Sequence, residues 1–404
     1  MENLKIFGEE IIEPSSIEQI KNCFSEDDHA VLTADAHYGY GHPIGGAVAY
    51  RNKISLSGVG FDIACGNKAV RTPVQASDVN IAKVMDEIWK QIGFGAGVPN
   101  PNPIDHPVLD EIPDLQVKMT NHIQNKLQSK AAKQLGSVGS GNHFVDLFRD
   151  TEGFLWIGVH FGSRGFGHNI TTGFIALSQG KGFGEHANEG PMNGKPILFD
   201  THSEIGMDYI QALEIAGRYA YAGRDAVVNK VLEILGTESN YEVHNHHNFA
   251  WKEQHFGEEY WVVRKGCTPA FPGQAGFIGA NMFDDSVIIE GVDSKESQKG
   301  LYSTVHGAGR VMSRRKAAGK FKWKHGRKIQ VQRGEVNYKN TQRDAVKRGI
   351  ELRGGGADES PQCYKKLEEV LSFHQDTIRI THTLTPIGVA MASDGKHILI
   401  LISI

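Results

Sequence analysis

The sequence predicts an α+β fold in which helices and strands alternate irregularly along one large mixed domain. Helical periodicity and short apolar runs follow one another without the regular strand–helix order of a doubly wound sheet. The 404 residues contain no internal repeat and no low-complexity linker. Because the candidate site residues come from all parts of the chain, we expect residues 1–404 to form a single domain.

Turn signals and periodicity give the order of the elements. Serine caps with amphipathic patterns predict helices, and apolar runs between glycines predict strands. The helical patterns lie at residues 15–25, 77–92 with Ser77 as the cap, 115–135, 204–235 as one helix or two stacked helices, 336–352 and 359–373. The strand patterns lie at residues 30–35, 144–148, 154–160, 259–264, 286–292, 376–384 and 397–404, and the Gly/Pro-rich segment 93–113 predicts an exposed loop or lid.

Composition limits the classes of partner and compartment. Hydrophobic residues make up 40% of the chain and charged residues 22%, as in soluble globular proteins. The net charge of −4 requires that an anionic partner be held by a local basic patch. The four cysteines form no CxxC pair and the first residues lack a signal-peptide run, so we expect a reducing cytoplasm. The apolar run at 397–404 is too short to span a bilayer, and no membrane partner is expected.

A candidate metal site starts from the stretch His244-Asn245-His246-His247-Asn248. Imidazole is the commonest metal ligand at neutral pH, and neighbouring polar groups orient its ring. The candidate ligands, each at a strand end or a Gly-rich turn, are Asp62, Cys65, His143, His160 and His247. A thiolate, imidazoles and a carboxylate suit Zn, Mn, Fe or Co. Taken singly, the histidine run could be a solvated loop, Cys65 a buried structural cysteine and His160 a core histidine. The prediction of a metal site therefore depends on their combination.

A second candidate site is His306-Gly307-Ala308-Gly309-Arg310. The small residues allow a ligand to approach backbone N–H groups, and the planar fork of Arg310 suits a phosphate. Histidine can itself be a nucleophile. The alternative is a tight turn with an ordinary exposed histidine.

Two further segments suggest nucleic acid and nucleotide. Residues 310–328 contain nine Lys/Arg and no acid, with Phe321 and Trp323 between lysines. Such a run can neutralise phosphates and stack unpaired bases, or it can be a basic surface helix without a partner. The Gly-rich turn at 354–359 precedes a helical pattern and Tyr364, an arrangement that can hold a nucleotide but also begins many ordinary helices.

Five motifs, taken in order, resemble those of one known family. They are Asp62-Ile-Ala-Cys65-Gly66, Gly141-Asn142-His143-Phe144, His160-Phe-Gly-Ser-Arg164-Gly, His246-His247-Asn248 and His306-Gly-Ala-Gly-Arg310. The chain is similar in this order to the RtcB-type RNA ligases, from about residue 35 to about residue 386.

The resemblance implies an α+β fold of the RtcB type with a central two-metal site. It implies that Cys65 bridges two manganese ions, that Asp62, His143, His160 and His247 complete the ligand set, and that Asn142 lies beside them. His306 would attack the α-phosphate of GTP and carry GMP as a phosphoramidate. The residues expected at the nucleotide are Asn142, Asp146, His306, Gly307, Ala308, Gly309, Arg310 and Tyr364.

The implied activity is GTP- and manganese-dependent joining of RNA ends, in RNA repair or tRNA splicing. A 2′,3′-cyclic phosphate would be hydrolysed to a 3′-phosphate, which would receive GMP from His306. The 5′-hydroxyl end would then displace GMP. The basic run after Arg310 would hold RNA backbone, and a small archease-type activator is a further expected partner.

Departures from the family pattern keep a second function open. Met391 stands where a lysine that contacts the guanylate is usual, Asp146 replaces a usual glutamate, and the turn at 272–276 has lost a hydroxyl. Lys396, in the C-terminal extension, is a candidate substitute for the lysine. The alternative is a metal-dependent hydrolase of RNA 2′,3′-cyclic phosphate ends that no longer ligates. A catalytically silent RNA-end-binding protein is a third hypothesis, against which the retained metal set argues.

Overall fold

Two β-sheets and a long helix position the candidate site. The computed structural model describes residues 3–324 and 327–393. The strands are β1 (Leu4–Ile6), β2 (His29–His37), β3 (Ile44–Tyr50), β4 (Lys53–Ser55), β5 (Gly66–Gln75), β6 (Phe144–Asp150), β7 (Phe154–Phe161), β8 (Leu198–Asp200), β9 (Tyr241–His246), β10 (Asn248–His255), β11 (Glu258–Lys265), β12 (Cys267–Pro269), β13 (Ala275–Ile278), β14 (Ser286–Gly291), β15 (Ser303–Val305), β16 (Gly319–Lys324), β17 (Arg327–Arg333), β18 (Glu351–Gly354) and β19 (Ile378–Met391). The helices are α1 (Pro14–Lys21), α2 (Leu56–Val59), α3 (Ile81–Gln91), α4 (Asn121–Gln134), α5 (Arg164–Ser178), α6 (Glu204–Leu235), α7 (Lys295–Lys299), α8 (Arg314–Ala318), α9 (Tyr338–Lys347) and α10 (Leu367–Ser372).

The larger sheet has the strand order β13-β14-β19-β6-β7-β5-β9 in the described part of the chain, and β18 pairs in parallel with β19. The second sheet has the order β1-β2-β3-β11-β10. The two-stranded pairs are β12–β15, β4–β8 and β16–β17. The predicted mixture of helices and strands is therefore confirmed, while the single-domain extent of 1–404 stays a prediction.

Strand alternation gives the larger sheet a helix-covered face and a site face. Successive side chains in a strand point to opposite faces. Val145 and Leu147 of β6 pack in the cluster that contains Val227, Val228 and Val231 of α6. The alternate β6 residues, Phe144 and Phe148, belong to a separate cluster with Trp156, Phe277 and Met391. The side chain of Asp146, which lies between Phe144 and Phe148 on the same face, is therefore directed away from the helices.

The strand register brings the predicted ligand segments to one end of this sheet. Gly66, the first residue of β5, pairs with Phe161 on one side and with His246 on the other. Phe144, the first residue of β6, pairs with His160. The segments around Cys65, His143, His160 and His247 therefore converge because four antiparallel strand ends coincide.

Several predicted boundaries were wrong, each for a local reason. Ser77 does not cap a helix: residues 76–78 form a 3₁₀ turn, and the side chain of Asn80 accepts the N–H of Lys83 to cap α3. The helix predicted at 115–135 begins only at Asn121, because Thr120 is its cap. The stretch 204–235 is one helix, capped by Ser203 and ended by Gly236 at φ 66°.

The C-terminal third also differs from the sequence patterns. The helix expected at 336–352 ends at Lys347, and residues 351–354 form β18 instead. The helix expected at 359–373 is reduced to α10, Leu367–Ser372. The strand predicted at 376–384 extends to Met391 because it pairs with β14, β6 and β18. The strand predicted at 397–404 and Lys396 lie outside the described residues.

Cysteine pairing and helix length bear on the compartment predictions. All four cysteines are buried and free. No helix in the described part of the chain combines the length and the apolarity that a bilayer span requires.

We predict that Gly66→Ala destabilises the fold, whereas Gly223→Ala does not. A Cβ on Gly66 would collide with the backbone carbonyl of Asn245 and approach His246 Cα to 2.8 Å, which would push β9 away from β5. The expected loss of unfolding free energy is about 1–3 kcal/mol. A Cβ on Gly223, inside α6, meets its nearest atom at 3.4 Å, and alanine favours a helix by about 1 kcal/mol.

Thermal and denaturant unfolding of the two variants provide the measurement. Equal stability of the two variants would contradict the proposed closeness of β5 and β9.

Candidate metal centre and nucleotide pocket

The loop before β5 holds Cys65 in a fixed position. The N–H of Cys65 donates to the carbonyl of Asp62 (3.1 Å), and its own carbonyl accepts the N–H of His247 (2.8 Å). Ala64 and Arg164 adopt φ values of 58° and 57°, in the left-handed region that costs a non-glycine residue energy. One of these residues directly precedes Cys65 and the other lies four positions after His160, and such strained backbone is often found at functional sites.

Three side chains form a compact cluster that can bind a metal ion. The ligand atoms of Cys65, His143 and His160 all lie within 4.8 Å of one another, and all three residues are buried. Cys65 Sγ lies 3.5 Å from His160 Nε2 and 3.8 Å from His143 Nε2. Asp62 Oδ2 lies 2.8 Å from His143 Nε2, so a predicted carboxylate ligand adjoins the same cluster.

Hydrogen bonds to the outer ring nitrogens prepare the histidines as ligands. His143 Nδ1 lies 3.0 Å from the carbonyl of Val138, and His160 Nδ1 lies 2.6 Å from Asn67 Oδ1. Each of these contacts is a hydrogen bond when Nδ1 carries the ring proton. The lone pair of Nε2 is then directed at the cluster. Metal-binding histidines are usually oriented by such contacts.

His247 adds a further ring to the cluster. Its ring stacks on that of His160, with centroids 5.0 Å apart, and its Nδ1 is buried without a hydrogen-bond partner among the described residues. Burying a polar nitrogen without a hydrogen-bond partner costs folding free energy unless a ligand or metal ion binds to it. The donor set and this nitrogen together fit a bound metal.

The other histidines of the run face the opposite way. His244 Nε2 and His246 Nδ1 each accept a hydrogen bond from the guanidinium of Arg224, both at 2.9 Å. The residue between them, Asn245, points to the other face, where its Oδ1 accepts the N–H of Phe277. Of the three histidines in the run, only His247 lies beyond the end of β9, and its ring contacts the ring of His160.

The pKa values of the two acidic candidate ligands, Cys65 and Asp62, shift in opposite directions. Burial raises the pKa of the Cys65 thiol well above its usual range, and the charge of Asp62 adds to this. Burial also opposes ionisation of Asp62, but His143 and Arg164 outweigh it and lower the pKa of that carboxyl to about 2. A carboxylate is therefore present, and a bound cation would favour the thiolate of Cys65.

His306 is oriented by a carboxylate that the sequence patterns did not single out. Asp35 Oδ2 accepts the Nδ1–H of His306 at 2.6 Å and the backbone N–H of the same residue at 3.0 Å. The Asp35 carboxyl is fully buried, yet the charge of His306 and hydrogen bonds from His306 and Thr33 hold its pKa at about 2. This arrangement leaves His306 Nε2 free as a nucleophile.

A cavity of about 220 Å³ adjoins both His306 and the cluster of Cys65, His143 and His160. It brings together every residue that the sequence assigned to the nucleotide: Asn142, Asp146, His306, Gly307, Ala308, Gly309, Arg310 and Tyr364. His160 lines the same cavity, and Asn142 Nδ2 lies 3.4 Å from His160 Nε2. We name this cavity the His306 pocket.

One wall of the His306 pocket combines apolar side chains with a buried carboxyl. Asp146 is buried, and its Oδ1 has no hydrogen-bond partner among the described residues. Burial raises the pKa of Asp146 well above its usual range. Met391, Met282 and Phe144, all buried, line the same cavity. Asp146 thus shares this part of the pocket lining with Met391 and has no ion pair among the described residues.

Another part of the pocket lining is an ion-pair network. Arg310 donates to the Tyr364 hydroxyl (2.8 Å) and to the carbonyl of Asp358 (2.7 Å), and its guanidinium lies over the Tyr364 ring. Arg314 pairs with Asp358 (2.8 Å) and with Glu359. The fork of Arg310 is thus occupied by protein groups, and its role at a phosphate stays a prediction.

The basic run at 310–328 does not form a single surface helix. It comprises the short helix α8 and most of the β16–β17 hairpin, because lysines alternate with Phe321 and Trp323 in a strand pattern. Lys320 and Lys322 are exposed. The Trp323 side chain and residues 325–326 lie outside the described part, and RNA binding by this run stays a prediction.

Sequence patterns missed the residues that orient the predicted ones. These are Asp35 behind His306, Asn67 behind His160, and Arg224 behind His244 and His246. The available signals were weak: Asp35 ends an apolar run, Asn67 follows the motif of Cys65, and Arg224 lies on a helix among apolar residues.

Comparisons with known proteins agree with the motif order. A family model described as tRNA-splicing ligase RtcB matches residues 17–112 and 102–392. The RNA-splicing ligase RtcB of Escherichia coli (strain K12) is 31% identical over 379 residues, which cover 88% of each chain. The tRNA-splicing ligase RtcB of Archaeoglobus fulgidus is 28% identical, covering 94% of this chain and 92% of that protein. The tRNA-splicing ligase RtcB of Thermococcus kodakarensis is 27% identical, covering 90% and 87%.

We predict that His247→Ala abolishes tight metal binding, whereas His244→Ala largely retains it. The ring of His247 stacks on that of His160, and its Nδ1 is buried without a hydrogen-bond partner among the described residues, whereas His244 contacts Arg224 and Asp225. Elemental analysis and Mn²⁺ titration calorimetry of the purified variants measure the difference. Equal metal loss in both variants, with both still folded by circular dichroism, would remove His247 from the ligand set.

Proposed function

The chain belongs to the RtcB family, and from this premise we propose that it is an RNA ligase that uses GTP and Mn²⁺. The proposed substrates are an RNA end with a 2′,3′-cyclic phosphate or 3′-phosphate and an RNA end with a 5′-hydroxyl. RNA repair and tRNA splicing both need this reaction. The proposed location is the cytoplasm, and an archease-type activator is a candidate partner.

The observation that carries the proposal is the contact of the His306 ring with the ring of His247, beside the cluster of Cys65, His143 and His160. The ring of His306 lies 4.9 Å, centroid to centroid, from the ring of His247, which stacks on His160. Asp35 fixes the orientation of His306, and the His306 pocket lies beside both. A nucleophile with a positioned carboxylate beside a cation site suits phosphoryl transfer.

In the first proposed step, His306 Nε2 attacks the α-phosphorus of GTP. The P–N bond forms, the bond from that phosphorus to the pyrophosphate oxygen breaks, and pyrophosphate leaves. Asp35 accepts the Nδ1–H throughout and stabilises positive charge on the ring as the bond forms. The small residues Gly307, Ala308 and Gly309 keep side-chain bulk away from the phosphates.

In the next steps the GMP group moves to RNA and is then displaced. An oxygen of the RNA 3′-phosphate attacks the phosphorus on His306, the P–N bond breaks, and a phosphoanhydride forms. The 5′-hydroxyl oxygen then attacks the RNA 3′-phosphorus, its proton is released, and GMP leaves. A cyclic phosphate end must first be opened by water to give the 3′-phosphate.

Two manganese ions would be held by Cys65, Asp62, His143, His160 and His247. When bound there, they would supply positive charge that neutralises phosphoryl oxygens and lowers the cost of bringing anions together. Asn142 lies beside His160 and is available to a phosphate oxygen. The guanine would occupy the wall formed by Asp146, Met391 and Phe144.

A second candidate function is supported by Met391. A guanylate would meet a thioether where the family usually has a lysine, and Asp146, Met391 and Phe144 supply no cation in its place. If guanylylation were lost for this reason, the metal cluster could still open a cyclic phosphate as a hydrolase. This alternative differs from the ligase in needing no nucleotide.

We predict that incubation with α-labelled GTP and Mn²⁺ labels the protein and that the label is acid-labile. A His306→Ala variant, which lacks the only proposed nucleophile, should retain no label and should not join RNA. Labelling with GTP but not ATP is expected. A fully active His306→Ala ligase would overturn the proposal, and opening of cyclic phosphate without GTP and without joined product would favour the hydrolase.

We predict that Asp35→Asn slows labelling of His306 by on the order of 10²-fold. The amide oxygen of asparagine can still accept the N–H groups of His306, but the negative charge that stabilises the ring is lost. The maximal rate should fall while the apparent KM for GTP and the Mn²⁺ content change little. An effect on KM alone would indicate that Asp35 only shapes the binding loop.

A further inference from the structure

A second cavity lies between the β16–β17 hairpin and the Gly-rich turn at 354–359. Its volume is about 550 Å³, and it is open to solvent. We name it the hairpin pocket. Both segments and the start of α9 contribute to its lining, which includes Phe321, Gln330, Arg333, Tyr338, Gly355 and Gly356.

The walls of the hairpin pocket are held together by close backbone packing. Gly334, which follows β17, lies so close to α8 that a Cβ at this position would collide with the carbonyl oxygen of Ala317. The same carbonyl accepts the N–H of Val336 at 3.1 Å. On the other side of the cavity, the hydroxyl of Tyr338 donates to the carbonyl of Gly354. The hairpin, α8, α9 and the Gly-rich turn therefore form one connected structure around the cavity.

The side chains that line the pocket match the chemistry of a nucleobase. Phe321 and Tyr338 contribute aromatic rings, and unpaired bases stack on such rings. Gln330 Nε2 donates to the carbonyl of Ala318 at 3.0 Å, and Asn337 Oδ1 accepts a backbone N–H as the cap of α9. Gln330 Oε1 and Asn337 Nδ2 have no partner among the described residues, so an acceptor and a donor are available to the polar edge of a base.

Exposed cations surround the hairpin pocket. Arg315, Lys320 and Lys322 are exposed, and none of the three forms an ion pair within residues 3–324 and 327–393. Lys316 is paired, with Glu335 at 3.6 Å. Positive charge that carboxylates do not offset attracts a polyanion. Aromatic rings in a basic surface are typical of sites that bind single-stranded nucleic acid.

The hairpin pocket and the His306 pocket lie on either side of α8 and the Gly-rich turn. Arg314, the first residue of α8, lines the His306 pocket, whereas Ala318, the last, lines the hairpin pocket. The rise of a helix places these two residues about 6 Å apart along its axis. Glu359 and Ala357 of the turn are divided between the two pockets in the same way, and Glu359 pairs with Arg314. An RNA end at His306 therefore has its neighbouring nucleotides within reach of the hairpin pocket.

Only one of the two RNA ends has to approach His306 directly. In the proposed reaction an oxygen of the RNA 3′-phosphate attacks the phosphorus that His306 carries. The 5′-hydroxyl attacks later, and its target is the RNA 3′-phosphorus instead. The strand that extends from His306 toward the hairpin pocket is therefore the one with the 3′-phosphate.

We propose that the hairpin pocket binds one of the last bases of the RNA strand that carries the 3′-phosphate, stacked on the ring of Phe321. The identity of the strand rests on the proposed ligase function. Binding of this base holds the 3′-phosphate at His306, and the exposed lysines of β16 contact the backbone of the same strand.

The test removes the ring and the base, separately and together. Phe321→Leu keeps an apolar side chain in β16 but loses the flat ring. The matched control, Phe256→Leu, makes the same change at an exposed phenylalanine in the turn between β10 and β11. Anisotropy titrations without GTP use a labelled single-stranded RNA with a 3′-phosphate and a blocked 5′ end. The RNA is either intact or abasic at one of its last three nucleotides.

One of the three abasic RNAs should bind wild-type protein at least about fivefold more weakly than the intact RNA, because the stacked base is missing. Phe321→Leu should weaken binding of the intact RNA by a similar factor. The same abasic change should then cost this variant less than about twofold, because the two changes remove one shared interaction. Phe256→Leu should bind all four RNAs as wild type does.

Enzymatic measurements separate this inference from the proposed function. GTP labelling of His306 should be unchanged in both variants, which also shows that they are folded. In GMP transfer to a 3′-phosphate RNA, the apparent KM for the RNA should rise in Phe321→Leu only.

The proposal is overturned if no abasic RNA binds wild-type protein more weakly, or if the abasic change costs Phe321→Leu as much as it costs wild type. Loss of affinity by Phe321→Leu for an RNA with a 5′-hydroxyl and a blocked 3′ end, without loss for the 3′-phosphate RNA, would also overturn it. If wild-type protein is not labelled by GTP, the ligase function fails, while the titrations still decide whether the pocket holds a base.

Discussion

The arrangement of the site depends on one buried cation, Arg224 of α6. Its guanidinium donates to the carbonyls of Ala64 (3.0 Å) and Phe161 (2.7 Å) and to the rings of His244 and His246 (both 2.9 Å). Ala64 precedes Cys65, Phe161 follows His160, and His246 precedes His247, so three of the four contacts fix the neighbour of a proposed ligand. Burial lowers the pKa of Arg224 to about 10, which leaves it charged at neutral pH. Its charge also favours the Cys65 thiolate, the form that a metal needs.

This constraint explains why a run of three histidines has two separate roles. Alternation along β9 turns His244 and His246 toward α6, where they accept hydrogen bonds from Arg224. His247 follows the strand end, and its N–H donates to the Cys65 carbonyl, so its ring reaches the cluster. The first two histidines are acceptors in a rigid network, and only the third is available to a cation. Two histidines buried beside a fixed positive charge remain neutral, since burial and Arg224 both lower their pKa.

The residues proposed to carry the chemistry lie in motifs that the sequence alone reveals, whereas the residues that orient them do not. Cys65, His143, His160 and His247 lie in short motifs at turns, where local signals mark them. Asp35 is 271 positions from His306, and Arg224 is 160 positions from Ala64, so only the fold reveals these contacts. Predicted helix boundaries were wrong where the capping side chain is not the one that the sequence pattern suggested. The side chain of Asn80, and not that of Ser77, caps α3.

The basic run that follows the His306 loop would answer a requirement of the proposed chemistry. A ligase must hold two polyanionic ends and a nucleotide close together, whereas the whole chain carries a net charge of −4. In the proposed reaction the repulsion among those phosphates would be offset locally, by cations held at the cluster of Cys65, His143 and His160 and by the exposed Lys320 and Lys322 of β16. Because β16 follows the His306 loop in the chain, its lysines belong to the same part of the molecule as the proposed nucleophile.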